Sequence, residues 1–228
     1  MSEKRLQVDL PEEKIQIMTS TNYLNPEDFQ KLVNAIPLVT EYNNSKLLNG
    51  KRVPRPDFIQ ACLWVQYAHA LRISECLRLK ASDFNFKTKI LTLEKTKTGF
   101  KKKDGVKVRK KQFTSIPPDL PDFVINIIDM VQDNNFDLFP FTRQLIWSYV
   151  KKAAQFAKLE LGEQQEERYI NGAWTHLLRK SRAKLMIEKG ANMDMVKVKL
   201  RHSFTTTERY TKPDINALIK WEAENLDS

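Results

Sequence analysis

The hydrophobic pattern of this 228-residue chain changes period once. From Lys87 to Glu94 (Lys-Thr-Lys-Ile-Leu-Thr-Leu-Glu) apolar and polar residues alternate, as a half-buried strand requires. Val106 to Phe113 reads as a second strand, with turn chemistry at Thr98-Gly99 and Asp104-Gly105 between the two and a stop at Ile116-Pro-Pro. Almost everything else carries helical spacing. The expected fold class is therefore mainly α with a small antiparallel β-hairpin or sheet insertion (α+β). Hydrophobic residues make up 41% of the chain, enough for a real core and too many for a disordered or collagen-like chain.

The same insertion holds most of the charge. The formal net charge is +10, and between Lys95 and Lys111 lie nine basic residues against one acid, Asp104. They are Lys95, Lys97, Lys101, Lys102, Lys103, Lys107, Arg109, Lys110 and Lys111. Charge alone speaks to association rather than fold, but cations gathered on a projecting hairpin suit phosphate or minor-groove contact with a polyanion. The charged N-terminus has no apolar secretory core, and no apolar run reaches the ~18 residues that span a bilayer. A cytoplasmic or nucleoid-associated protein with no membrane partner is expected. Cys62 and Cys76 sit among apolar residues without metal-ligand spacing, and read as reduced core thiols.

Helix signals are local and repeated. Asn25-Pro26-Glu27-Asp28 supplies a cap, a first-position proline and two acids ahead of Phe29, Leu32, Val33 and Ile36. Glu41-Tyr-Asn-Asn-Ser45 and Pro54-Arg-Pro56 read as breaks, and Asp57 as the cap of a helix through Ile59, Leu63, Val65 and Ala68. Further helices are expected over Ile73–Leu79, Pro121–Ile128, Thr142–Leu159, Trp174–Glu188, Asn192–Leu200 and Thr205–Tyr210, with a polar loop over Gly162–Glu167 and a last helix from Pro213. Phe58, Trp64, Tyr67 and Trp147 are expected in the core. Residues 1–22 read as an N-terminal arm, and 23–228 as one domain whose tail helix occupies 212–228.

Three segments carry chemistry. Arg72-Ile-Ser-Glu75 sets a carboxylate on the helix face of an arginine, at i and i+3. His176-Leu-Leu-Arg179 repeats that spacing at the expected start of a helix. Leu200-Arg-His202 through Tyr210 holds the last histidine and a tyrosine among hydroxyl and basic residues. His69, just before the first segment, reads as structural. Each segment alone is weak. In this order, with a lysine-bearing hairpin between the first two, they resemble the catalytic domain of the tyrosine recombinases, the phage-type integrase family, from about Leu24 to the end.

That resemblance implies a site for DNA strand cleavage and rejoining through a 3′-phosphotyrosyl intermediate. By motif, Arg72, His176, Arg179 and His202 match the family's arginines and histidines, and Tyr210 its nucleophile. Lys97 matches the hairpin lysine, with Lys95 as its rival, and Glu75 supports the first box. Lys95, Lys101, Lys102, Lys103, Lys107, Arg109, Lys110 and Lys111 are expected to bind DNA. Two guanidiniums would hold the phosphate oxygens bidentately, so neither metal nor nucleotide cofactor is expected. Double-stranded DNA is the implied partner, with self-association into a tetrameric synapse, for which the apolar residues of Asn216–Trp221 suit docking on a neighbour as well as on their own domain. Lys180 stands where the family usually has histidine, and Arg201 where it has glycine. The step from His202 to Tyr210 is one residue short, and no separate N-terminal core-binding domain is expected. A type IB topoisomerase-like enzyme and a binding-only DNA module with the same fold are the alternatives.

Overall fold

A computed structural model describes residues 23–46, 55–94, 100–103, 106–109, 111–131, 136–159, 167–201 and 215–226. In chain order the helices are α1 Pro26–Asn34, α2 Ile36–Lys46, α3 Pro56–Ala68, α4 Ile73–Cys76, α5 Asp122–Met130, α6 Arg143–Phe156, α7 Glu167–Glu188, α8 Met193–Leu200 and α9 Ile215–Asn225. The strands are β1 Phe84–Asn85, β2 Ile90–Glu94, β3 Phe100–Lys103, β4 Val106–Arg109 and β5 Lys111–Ser115.

α3 is the central element. Ile59, Ala61, Cys62, Leu63, Val65, Tyr67 and Ala68 are all buried, so the helix is covered on several faces. It packs against α1, α2, α4, α5 and α7. α1 starts as its sequence demands: the Asn25 side chain accepts the Asp28 N–H at 2.7 Å, and Pro26 occupies a position where no amide hydrogen is needed. Phe29 then stacks on Tyr67 at 4.0 Å between ring centroids and meets Trp64 edge-on at 4.8 Å. Phe58 and Trp64 are half-buried against this core. Cys62 and Cys76 are buried free thiols, their sulfurs 3.8 Å apart.

Three helix boundaries differ from expectation. The expected break at Glu41–Ser45 is the second half of α2. That segment has neither glycine nor proline, so each residue costs only a few tenths of a kcal/mol in helix propensity. Burial of Ile36 and Val39 and packing on α6 offset that cost, with Lys152 Nζ donating to Asn43 Oδ1 at 2.7 Å. α7 begins at Glu167, about two turns before Trp174, so the end of the expected Gly162–Glu167 loop is helical and His176 lies mid-helix. α4 stops at Cys76 rather than Leu79, because Lys80 turns into a short 3-10 segment whose Asp83 carboxylate accepts the Lys80 N–H at 2.9 Å.

The single expected hairpin resolves into two sheets. β2 lies between β1 and β5, all antiparallel, with Leu91 opposite Thr114 and Glu94 opposite Lys111. β3 and β4 form a separate two-stranded ribbon that pairs Lys102 with Lys107. The expected strand Val106–Phe113 is thus divided. β2 buries Leu91 and Leu93, and β5 meets that face with the buried Thr114; on the other face of β5 Ser115 is buried and Phe113 exposed. Ile116 closes the sheet end, its amide donating to the Lys89 carbonyl at 2.8 Å.

A second cluster joins the end of α7 to α8 and α9 through Met186, Ala191, Val196 and Leu218. Of the two dockings considered for the tail helix, the one on its own domain is seen. One buried ion pair and one partly buried pair tie this region down. Lys199 Nζ lies 2.8 Å from Glu222 Oε1 and 3.0 Å from Ser115 Oγ, while Arg182 forks onto Asp119 at 2.5 and 3.1 Å. Among the described residues no helix is long and apolar enough to cross a membrane.

Candidate active site

The site begins where α3 ends. His69 caps the helix and Ala70 takes a left-handed conformation (φ +49°), so the chain reverses and the buried Ala70 carbonyl is turned toward Arg179 and Arg201. An L-residue there costs roughly 1–2 kcal/mol, which the surrounding bonds must offset. The Leu71 amide returns to the Gln66 carbonyl at 2.9 Å. Arg72 then becomes the N-cap of α4, and Glu75, at the third helical position, reaches back to accept the Arg72 N–H at 2.8 Å. The spacing of Arg72 and Glu75 is thus a helix-start geometry.

Glu75 is the hub. Its side chain is 4% exposed, so its carboxylate depends on bonded cations rather than water. Arg72 Nη1 donates to Oε1 at 3.0 Å, Arg201 Nη2 donates to Oε2 at 2.8 Å, and Arg179 Nη1 stands 3.9 Å from Oε2. Burial pulls the Glu75 carboxyl upward, but the Arg201 guanidinium and the Arg72 amide and side chain outweigh it and hold the group below its ordinary range. Three guanidiniums around one carboxylate leave two positive charges for an anion.

Arg179 comes from α7 and crosses to this turn. Its Nη1 donates to the Ala70 carbonyl at 2.7 Å and its Nη2 to the Leu200 carbonyl. Those two bonds take two of five donors and fix the plane of the fork. Burial, then repulsion from Arg201 and Arg72, lowers Arg179 to about 10, which still leaves it charged near neutral pH. Arg72 is the accessible member, its side chain 36% exposed.

His176 lies one turn before Arg179 on α7 and is exposed. Partial desolvation of its ring, then the positive field of Arg179, Arg72 and Lys180, lowers its pKa below the ordinary histidine value against the pull of Glu75. His69 differs: it is fully buried, its Nδ1–H donates to the Val65 carbonyl at 3.0 Å, and burial followed by Lys199 keeps it neutral. Its role is packing and capping, as its ring stands edge-on to Phe84.

The structure therefore brings Arg72, Glu75, His176 and Arg179 together. Lys95, Lys97, Lys110, His202 and Tyr210 lie outside the described residues. Lys101, Lys102 and Lys103 fall on β3, Lys107 and Arg109 on β4, and Lys111 opens β5 with an exposed side chain. Sequence reasoning missed Arg201 as a member of the cluster. It ends α8 with a left-handed backbone (φ +53°). Among the described residues no group of three or more His, Cys, Asp or Glu side chains is placed to hold a metal ion.

The family model described as the phage integrase family matches residues 22–216. By structure, the chain is similar to the XerH site-specific recombinase bound to palindromic difH substrate in a post-cleavage complex, with a TM-score of 0.54 and 16% identity over 89% of this chain and 50% of that one. It is also similar to the catalytic domain of bacteriophage HP1 integrase, with a TM-score of 0.51 and 20% identity over 90% of this chain and 98% of that domain. An integrase from mycobacterium phage Brujita gives a TM-score of 0.53 and 12% identity, over 92% of this chain and 58% of that one. The chain spans about half the length of the XerH recombinase. None of the curated protein sequences matches it.

Proposed function

The chain belongs to the phage integrase family and has the fold of a tyrosine recombinase catalytic domain, and from that premise we propose that it breaks and rejoins DNA strands through a 3′-phosphotyrosyl intermediate on Tyr210. The observation that carries this reading is the Glu75 cluster, with Arg72 and Arg179 held at one buried carboxylate and His176 a turn away. A phosphodiester repels nucleophiles, and its transition state spreads more charge over the oxygens. Fixed guanidiniums stabilise that charge without reorganising during the reaction. Arg72 and Arg179 are assigned to the non-bridging oxygens.

Tyrosine has an ordinary pKa of about 10, so the attacking phenol needs a base and a positive field. His176 takes the phenolic proton as the Tyr210 oxygen bonds to phosphorus. The bond from phosphorus to the 5′ oxygen breaks, and Lys97 delivers a proton to that leaving oxygen as general acid. His202 donates to a phosphate oxygen. Attack by a second 5′-hydroxyl reverses these steps and reseals the strand, so the bond energy is stored in the enzyme and no nucleotide or metal is consumed. The basic ribbon, with Lys101, Lys102, Lys103, Lys107 and Arg109, is assigned to the DNA backbone, together with Lys95, Lys110 and Lys111. Strand exchange would pair four copies on two duplexes, in a cytoplasmic, nucleoid-associated setting.

A nicked suicide duplex tests the reading on a denaturing gel. The wild-type chain is expected to form a DNA adduct that Tyr210→Phe abolishes. Salt-sensitive binding without an adduct would identify a binding-only module, and efficient relaxation of supercoiled plasmid by a monomer would identify a topoisomerase. On the same substrate Lys97→Ala is expected to slow cleavage far more than it weakens binding, and Lys95→Ala to do the reverse. Equal cleavage defects would remove Lys97 from the general-acid role.

A further inference from the structure

The Arg201 backbone is the starting observation. It ends α8 at φ +53° and ψ +36°, a conformation that an L-residue adopts at a cost and that glycine adopts freely. Such a residue persists only when its surroundings over-determine it. Here the side chain supplies the reason. Its guanidinium is 3% exposed and donates Nη1 to the carbonyls of His69 and Lys199 at 3.2 and 2.9 Å. Its Nη2 donates to the Ala70 carbonyl at 3.2 Å and to Glu75 Oε2 at 2.8 Å. One side chain thus clasps both strained turns, its own and that of Ala70, and closes the second half of the Glu75 carboxylate.

Resting on the recombinase reading, we infer that Arg201 is a positioning residue that satisfies Glu75 Oε2, so that Arg179 keeps its place on the Ala70 and Leu200 carbonyls, from which it serves the DNA phosphate, instead of moving onto that carboxylate. The geometry explains why compensation is needed. Glu75 Oε2 already lies 3.9 Å from Arg179 Nη1, within ion-pair range but beyond a hydrogen bond. Arg201 holds the near position on that oxygen. Without it Glu75 would keep the Arg72 guanidinium on Oε1 and only the Arg72 amide on Oε2, and Arg179 is the next cation in range of the lone pair left open there. A shift of Arg179 by about 1 Å is enough to cost on the order of 100-fold in a positioned reaction. Arg201 itself is buried, with both Nη atoms engaged on the protein, and is assigned to act through Glu75 and not on substrate.

Three variants separate this role from a structural one. Arg201→Gly relieves the backbone and removes the cation, Arg201→Lys keeps the cation and the strained backbone, and Arg201→Gly/Glu75→Gln removes both charges. The readouts are the single-turnover rate of adduct formation on the suicide duplex and the affinity for the same duplex. Arg201→Gly is expected to lower the rate about 100-fold with affinity changed less than about threefold, and Arg201→Lys to lose less than Arg201→Gly. Adding Glu75→Gln to Arg201→Gly is expected to recover at least about tenfold of the lost rate, because no buried anion then competes for Arg179. A purely structural arginine would make the double variant no better than Arg201→Gly, and that outcome overturns the inference, as does a wild-type rate in Arg201→Gly. Absence of any adduct from the wild-type chain would overturn the recombinase reading and this assignment together, whereas failure of the variants alone overturns only this assignment.

Discussion

Arg179→Lys is expected to slow adduct formation by about 10²–10³-fold, the usual loss when one preorganised donor is removed from an anionic transition state. Lysine keeps the charge but not the geometry. The Arg179 fork is oriented by the Ala70 and Leu200 carbonyls and approaches Glu75 from α7. A single ammonium cannot hold two carbonyls in that plane and still present parallel donors to two phosphate oxygens. The loss should fall on the single-turnover rate, with duplex affinity nearly unchanged, because most of the phosphate contacts are assigned to the lysines of the ribbon. A defect of less than about tenfold would mean that Arg179 serves the α7 packing and not the reaction.

The second large effect is on stability and lies away from the reaction. Glu222→Ala is expected to destabilise the domain by about 3–5 kcal/mol, the cost of leaving one member of a buried ion pair uncompensated. Lys199 and Glu222 are almost completely inaccessible, and the pair joins α9 to α8 and to Ser115 on β5. Burial, opposed by Glu222, already lowers Lys199 to about 8, well under its unfolded value. The native state therefore binds fewer protons than the unfolded chain from about pH 8 up to the unfolded lysine pKa of about 10.4. Stability contributed by this group rises with pH across that window, and the penalty of charged Lys199 is full below it. In Glu222→Ala the Lys199 pKa falls further, so the measured defect should shrink between pH 7 and 9. Replacing both residues by Lys199→Met/Glu222→Leu should restore most of the loss. Urea unfolding reads all three, and a loss under about 1 kcal/mol in Glu222→Ala would show that the pair is solvated.

The parts of the molecule legible in the sequence were those encoded by near neighbours. Asn25-Pro26 caps α1 through a three-residue contact, and Arg72 with Glu75 needs only one turn of helix. His176 and Arg179 share a helix, so their common face followed from spacing. What was missed depends on contacts that no local window contains. Arg201 meets Glu75 across 126 positions, and Lys199 meets Ser115 across 84. The division of the basic insertion into two sheets depends on which strand covers Leu91 and Leu93, a question of burial that alternation alone does not answer. One signal for Arg201 was present: a bulky cation at a position where the resembled family commonly has glycine. Such a replacement marks a side chain with an occupation of its own. α2 ran on through Glu41–Ser45 because polar residues without glycine or proline only weakly oppose a helix already packed on α6.

The central claim is that the tyrosine of the last motif attacks a DNA phosphate held by Arg72 and Arg179. The most direct measurement is mass spectrometry of the adduct after nuclease and protease digestion. The account predicts a nucleotide joined through a 3′-phosphate to the peptide carrying Tyr210, and no adduct from Arg179→Lys within the same reaction time. A 3′-phosphate on any other side chain, or a 5′-linked product, would contradict it.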